Sequence, residues 1–443
     1  MWNKNINPFI IRIIAFLPAK VSTKGVFLMQ LSSNEKIINI LEKTLNYIDR
    51  RLVGHGKRVS FLTFKMLENK NIDKKILRDI TLLAMVHDIG AYETAEIDDM
   101  FHFEAKNMWE HSVYGYLFFK YFSPLKSISQ IVLYHHANIH EIKNLSPEYV
   151  LIAQALCIAN MADLFYLSKR STKEFESFLQ NKRGTCFLEE AVDLYIVAKF
   201  DLLKFDEDIK DCKEYNKILY DIPFTNEEIE EYIRLIVYAI DFRSTQTVVH
   251  TISVASIAET LAKIAGASKQ EIDMVRTAAL LHDIGKISTP VRILEGKAST
   301  LSESDMEIMR HHIVVSGEIL EGNVNDVVKK IACRHHERLD GSGYPEGLFA
   351  KGLTFLERLM CVADVFSALC TARSYQGAFP KEKIISILSD LAERNKMDKT
   401  IVDLVITHYD EIIEIGNKEA EKVVNDYNLL KCEYEKIINE IKK

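Results

Sequence analysis

Two stretches of this chain carry the same ordered set of histidines and aspartates, and that repetition limits the fold more than any overall composition does. One reads LLAMVHDIG over Leu82–Gly90 and the other AALLHDIGK over Ala278–Lys286, each an apolar run closed by a His-Asp pair. His55 precedes His87-Asp88 by 32 residues, and His250 precedes His282-Asp283 by the same 32. After each pair comes a lone histidine, His111 or His312, and then a doublet, His135-His136 or His335-His336. An aspartate closes each copy, Asp163 in CIANMADLF and Asp364 in CVADVFSAL. Self-similarity of this kind marks a duplicated unit, so whatever fold suits one half must suit the other.

The apolar residues mostly recur at three-to-four spacing, as in Ile37, Ile38, Leu41, Leu45 and Ile48, or Ile229, Tyr232, Ile233, Ile236 and Val237. With only 8 prolines and 17 glycines among 443 residues and no sustained alternation of two, the pattern predicts an all-α protein. At 48% apolar residues, each half can bury its own core. Asn34-Glu35 opens one amphipathic helix, and Thr225-Asn226-Glu227-Glu228 has the form of a capping box opening another. These signals divide the chain into an apolar segment 1–29, a first helical bundle 30–205, a helical linker 206–223, a second bundle 224–395 and a charged helical tail 396–443. The tail carries Val423, Val424, Tyr427, Leu430 and Ile437, which suit packing on the body or pairing with a second subunit in a homodimer. The apolar run Pro8–Pro18 is broken by Arg12 and too short to span a membrane, so a strand or a docked helix is expected there.

A net charge of −7 argues against holding double-stranded nucleic acid by bulk charge; a phosphate-bearing ligand would need metal ions and a few placed cations. Seven cysteines, without a Cys-x-x-Cys, read as reduced thiols of a cytoplasmic protein and exclude a thiolate zinc site.

An imidazole and a carboxylate at the end of an apolar core helix are costly to bury unless something compensates both, and a divalent cation does. Imidazoles and carboxylates without thiolate suit iron or manganese better than structural zinc. Five histidines and two aspartates exceed what one tetrahedral ion needs. They suffice for two ions sharing a carboxylate, a pair that can clamp a phosphodiester and activate water for in-line attack. Any one of these histidines alone would more often be an ordinary core or surface residue; ten of the 14 in two parallel ladders are not explained that way.

The second copy resembles the HD-GYP family, a branch of the HD phosphohydrolases, through His250-Thr251, His282-Asp283-Ile284-Gly285-Lys286, His312 and the run His335-His336-Glu337-Arg338-Leu339-Asp340-Gly341-Ser342-Gly343-Tyr344-Pro345, followed by Ala363-Asp364. The resemblance implies a cytoplasmic bacterial phosphodiesterase hydrolysing a cyclic dinucleotide, cyclic di-GMP first and 3′,3′-cyclic GMP-AMP as the alternative. It implies two ions, iron or manganese, held by His250, His282, Asp283, His312, His335, His336 and Asp364, with Asp283 bridging. Lys286 would bind the scissile phosphate, and Gly343, Tyr344 and Arg373 would contact substrate. A diguanylate cyclase of the GGDEF type is the natural signalling partner. The chain departs from the family pattern at Ser374 and Gln376 beside Arg373, at Ser367, and at Gln246, where trinuclear members carry glutamate.

The first copy keeps His55, His87, Asp88, His111, His135, His136 and Asp163, a second candidate metal site. Ala91 stands where Lys286 stands, and Ala137-Asn138-Ile139-His140 replaces the Gly-Tyr-Pro loop. A metal-holding, regulatory role without cyclic dinucleotide hydrolysis is the expectation for this half. Two other readings of the whole remain: a cyclic dinucleotide sensor or scaffold without turnover, and a nucleotidase acting on mononucleotides.

Overall fold

The computed structural model describes residues 33–47, 53–93, 109–244, 247, 249–296, 300–370 and 379–442. The segment 1–29, Gln246, Arg373, Ser374 and Gln376 lie outside these. Among the described residues there are helices and turns and no strand, so the all-α expectation holds.

The duplication is visible as two bundles with matching parts. His55–Leu67 and His250–Ile264 each begin at the first histidine of a ladder; Lys74–Met85 and Lys269–Leu281 lead into the two His-Asp pairs. Those leading helices are core elements, with Leu82, Leu83 and Ala84 in one and Ala278, Ala279 and Leu281 in the other almost wholly buried. Side chains accept from the free amides at their N-termini: Asp73 from Lys75 and Ile76, and Ser268 from Glu271 in a reciprocal capping box. A tight 3-10 turn begins at the first His-Asp pair, His87–Glu93, and directly after the second, Ile284–Ser288.

Each turn presses a glycine against the helix that carries the lone histidine, Trp109–Phe122 or His312–Leu320. A Cβ on Gly90 would lie 2.1 Å from the His111 carbonyl, and one on Gly285 2.0 Å from that of His312. No side chain fits, which is why Asp-Ile-Gly recurs in both copies. The closing aspartates lie mid-helix, Asp163 in Pro147–Leu167 and Asp364 in Phe355–Cys370. Pro147–Leu167 is long and apolar enough to cross a membrane, but most of its apolar window is buried within the first bundle.

Residues 206–223 are more than a connector. Phe205–Asp211 and Lys213–Tyr220 fold back on the first bundle, burying Tyr215 and Leu219, with the Tyr215 hydroxyl donating to Ser60 at 3.1 Å. The polar residues that suggested a linker cover the outside of these short helices, while the aromatic ones enter the core. Likewise Lys399–Thr407 contributes Ile401, Val402 and Val405 to the second core, so the tail proper begins at Tyr409.

That tail is one helix, Tyr409–Ile441, and it packs on both bundles. Gly416 lies against Ile257 of the second bundle. Further along, Tyr427 meets Phe242 edge-on at 4.9 Å, and Tyr434 stacks on Tyr114 at 4.0 Å. Glu433 there accepts from Lys120 and Tyr121 of the first bundle. Of the two uses open for the tail, the structure shows packing on the body. At the junction the helix Asn226–Asp241 sets Tyr238 against Phe122 at 4.7 Å, and Arg78 reaches Glu228 at 3.0 Å. Burying aromatic rings of this size is worth roughly 1.5–3 kcal/mol each, so the bundles are held by a continuous apolar seam.

Candidate metal centre

In the second bundle, side chains from five separate segments converge on Asp283. His282 and His250 approach its Oδ2 with Nε2 at 3.1 and 3.7 Å, and His312 and His335 approach its Oδ1 with Nε2 at 3.4 and 3.9 Å. Asp364 faces the same space, 3.2 Å from His250 Nε2 and 3.9 Å from both His282 Nε2 and His336 Nδ1. All seven residues of the sequence ladder therefore meet in one place.

The ring orientations are set by the backbone. Nδ1 of His282, His312 and His335 each lies on the carbonyl three residues earlier, at 2.7, 2.5 and 2.6 Å. That fixes Nδ1 as the protonated nitrogen and turns a bare Nε2 inward, the arrangement that orients a metal-binding imidazole. Nε2 of these three rings and Oδ1 of Asp283 are buried with no hydrogen-bond partner. Buried polar atoms are rarely left so. A divalent cation is the group that these aligned lone pairs fit, and His250, His282 and Asp283 form one cluster while His312, His335 and His336 form a second.

Electrostatics agree. Burial pushes His312 down to about 4 and His336 to about 3, and lowers His335 well below its ordinary value, so these rings are neutral and ready to ligate. Burial opposes charge on Asp283 and Asp364, but His282 and Lys286 beside the first and His250 beside the second outweigh it and hold both carboxyls below the usual range. For His282, burial lowers the ring but is outweighed by Asp283, which raises it.

Three residues missed in the sequence arrange this site. Lys286 places Nζ 2.5 Å from Asp283 Oδ2, and its turn is held by Arg243, which donates to the carbonyls of Lys286, Ile287 and Thr289 at 3.1, 2.8 and 3.1 Å. Asp241, which accepts from Thr251 at 3.0 Å, is raised to about 7 by burial. Glu337 is fully buried and accepts from the amides of Glu346, Gly347 and Leu348 at 2.7, 3.1 and 2.8 Å. It thereby folds the Gly-Tyr-Pro loop back on the doublet, where Tyr344 lies over His336 with ring centroids 4.7 Å apart. Gly343 allows this approach, since a Cβ there would meet the Arg338 amide at 2.3 Å. The signals were present as charged residues beside the ladder, Asp241 and Arg243 closing an apolar helix and Glu337 adjoining the doublet, but neither period nor spacing marks them.

The first bundle gathers a similar cluster around Asp88, with His55 at 3.2 Å, His87 at 3.3 Å, His135 at 3.5 Å and His111 at 3.8 Å. Asp88, His111, His135 and His136 form one group, and His55, His87 and Asp88 another. Asp163 stands apart from both. It meets His55 at Nδ1, 2.6 Å away, on the side of the ring opposite the cluster, and Arg58 grips both its oxygens. Ala91, in the position of Lys286, is buried.

These shifts carry a pH dependence for the metal-free chain. His87, His312 and His336 are lowered to about 3, 4 and 3 when folded, against 6.5 for a free histidine, so the unfolded chain binds the extra protons. Their contribution to stability is full above about 6.5 and is lost as pH falls toward those values; the depressed carboxyls of Asp88, Asp283 and Asp364 extend the loss to lower pH. Burial opposes charge on His55, but its hydrogen bonds to Asp163 and Asp88 outweigh it and raise it to about 9, so its contribution fades as pH rises through that value. Chelated protein is expected to melt at progressively lower temperature below pH 6.5. A melting temperature that climbs between pH 6 and 4 would contradict this balance.

Comparison with known proteins follows the same division. Residues 229–401 match the family model described as HD domain. The 3′3′-cGAMP-specific phosphodiesterase 1 of Vibrio cholerae serotype O1 is 26% identical over 390 residues, 83% of this chain and 90% of that protein. The cyclic di-GMP phosphodiesterase response regulator RpfG of Xanthomonas campestris pv. campestris is 34% identical over 194 residues, 43% of this chain and 50% of its own. A crystal structure of a V. cholerae cyclic GMP-AMP-specific phosphodiesterase, V-cGAP3, superposes with a TM-score of 0.54 at 16% identity, covering 86% of this chain and 98% of that one. That last likeness is one of fold.

Proposed function

We propose, from the match of residues 229–401 to the HD domain family model and from the HD-GYP signature they carry, that the second bundle hydrolyses a cyclic dinucleotide to a linear one. The single observation that carries this reading is the convergence of His250, His282, Asp283, His312, His335, His336 and Asp364, with buried unpartnered nitrogens, beside the Lys286 ammonium. When bound, two divalent ions, iron or manganese by the donor set, supply charge for the phosphate oxygens and lower the pKa of water.

The chain's own groups do the rest. Asp283 offers one oxygen to each half of the cluster and so holds the halves together. Lys286 stays an ammonium, because the Asp283 carboxylate outweighs the burial that opposes its charge, and it meets charge developing on the phosphate. Tyr344, its ring tilted against His336, forms one wall of the site with the Arg310 guanidinium over its ring. Arg373 is retained as a substrate contact on the resemblance alone. The first bundle, with Ala91 in place of the lysine, is the regulatory half.

Cyclic di-GMP is the substrate favoured by the signature, and two relatives named for it match 43% and 41% of this chain. A second reading, 3′3′-cGAMP, is favoured by the relative that aligns along both bundles. The seven cysteines are free thiols, in keeping with a reducing cytoplasmic setting. Turnover of both cyclic dinucleotides and of nucleoside monophosphates with Mn²⁺ or Fe²⁺, products separated by chromatography, tests the reading. Linear dinucleotide from either cyclic substrate supports it; binding without turnover would make the protein a sensor, and monophosphate hydrolysis alone a nucleotidase.

A further inference from the structure

The two clusters differ in how their closing aspartate is used, and the difference sets how many ions each can hold. Asp364 lies on the Nε2 side of His250, inside its cluster, and among the described residues no arginine engages it. Asp163 lies on the Nδ1 side of His55, behind the ring, where it serves as the carboxylate that orients an imidazole. Arg58 removes it from any other use, engaging both oxygens while its guanidinium also donates to the Val53 carbonyl at 3.2 Å and lies over the Tyr166 ring at 5.0 Å. Ser253, three residues after His250 as Arg58 is after His55, carries no charge.

Charge balance leads to the same point. In the second bundle two buried carboxylates face the same imidazoles, which calls for more cationic charge than Lys286 alone supplies. In the first, Arg58 already answers Asp163, and only Asp88 remains for a metal. The unpartnered buried atoms lie on that side: Nε2 of His55, His87 and His136, and both oxygens of Asp88. Of the two groups there, His55-His87-Asp88 lacks its second carboxylate, while Asp88-His111-His135-His136 offers three imidazoles and a carboxylate, a full tetrahedral set.

We propose that the first bundle is a mononuclear metal site in which Asp88, His111, His135 and His136 hold one divalent transition ion, and the Arg58 guanidinium stands in for the charge of a second. The ion is structural. It fastens the helix Trp109–Phe122, on which the C-terminal helix docks through Tyr114 and Lys120, to the His-Asp turn.

The test uses the full chain with His282→Ala and Asp283→Ala together, which removes the second centre, loaded with Mn²⁺, desalted and analysed for metal and by electron paramagnetic resonance. The expected result is about one ion per chain with an uncoupled hyperfine sextet, lost on adding Asp88→Ala. Two ions with an exchange-coupled spectrum, or no bound ion in a chain whose circular dichroism matches wild type, would overturn it. If the double variant does not fold, Asp88→Ala alone should lower wild-type metal content by one ion, and a fall of two or none counts against the proposal. Arg58→Ser should raise the content above one in the double-variant background; unchanged content would refute the role given to the guanidinium.

Discussion

Asp283→Ala is expected to strip the second centre of both its ions and to lower cyclic dinucleotide turnover by at least about 10³-fold, since metal charge supplies several kcal/mol to such a reaction and each 1.36 kcal/mol is tenfold. The geometry explains why this side chain should matter more than any other ligand. Its two oxygens face different histidines, His250 and His282 on one and His312 and His335 on the other. Losing one histidine weakens one half, whereas losing Asp283 severs both. The change also leaves the Lys286 ammonium buried beside imidazoles without its carboxylate. Removing one partner of a buried pair costs about 3–5 kcal/mol, so Asp283→Asn, which keeps the shape, should be measured alongside. Metal content and turnover in both variants, with circular dichroism as the folding control, decide the matter. Were Asp88→Ala to abolish turnover while Asp283→Ala spared it, the division of labour between the two bundles would be reversed.

The ladder was readable because ligand residues are few, polar and placed on core helices where nothing else polar belongs; order and spacing alone assembled seven residues that meet in space. The helix starts at Asn34 and Thr225 were equally plain, since a cap is a local device: Thr225 and Glu228 satisfy each other's backbone within one turn. What the sequence concealed is tertiary. Asp163 and Asp364 occupy the same rung, yet one faces Nδ1 and the other Nε2 of the partner histidine, and rung order carries no information about which side of a ring a carboxylate meets. Arg58, one turn after His55, was the available clue, but a lysine-arginine pair on a helix ordinarily faces solvent. Residues 206–223 look like a linker by charge, yet Tyr215 and Leu219 find a groove that only the assembled first bundle provides. Glu337 is hidden for a related reason: its acceptors serve amides nine to eleven residues ahead, which only the folded loop brings within reach.

Lys286→Met is expected to lower kcat/KM by about 10²–10³ while leaving metal content intact, the size of loss seen when one preorganised donor to a developing oxyanion is removed. Methionine keeps most of the side chain's reach and removes the ammonium, its charge and its donors together. The lysine is poised for this task by its surroundings: Arg243 fixes the backbone turn through three carbonyls, and Asp283 holds the ammonium within the site. Nothing in this arrangement makes Lys286 a ligand, so the ions should stay. Metal analysis therefore separates two roles that activity alone would confuse. If the variant loses its ions in step with its activity, Lys286 serves to orient Asp283 rather than to meet the phosphate. If turnover stays within about threefold of wild type, too little for a lost oxyanion donor, the charge on the phosphate is met elsewhere, and Arg373 becomes the residue to change. The first bundle offers the natural counterpart. Ala91 occupies the equivalent position and is buried, so a lysine introduced there would have no room to extend without repacking the turn. On the proposed reading, the absence of this cation together with the capture of Asp163 by Arg58 separates a bundle that cleaves a phosphodiester from one that holds a single ion.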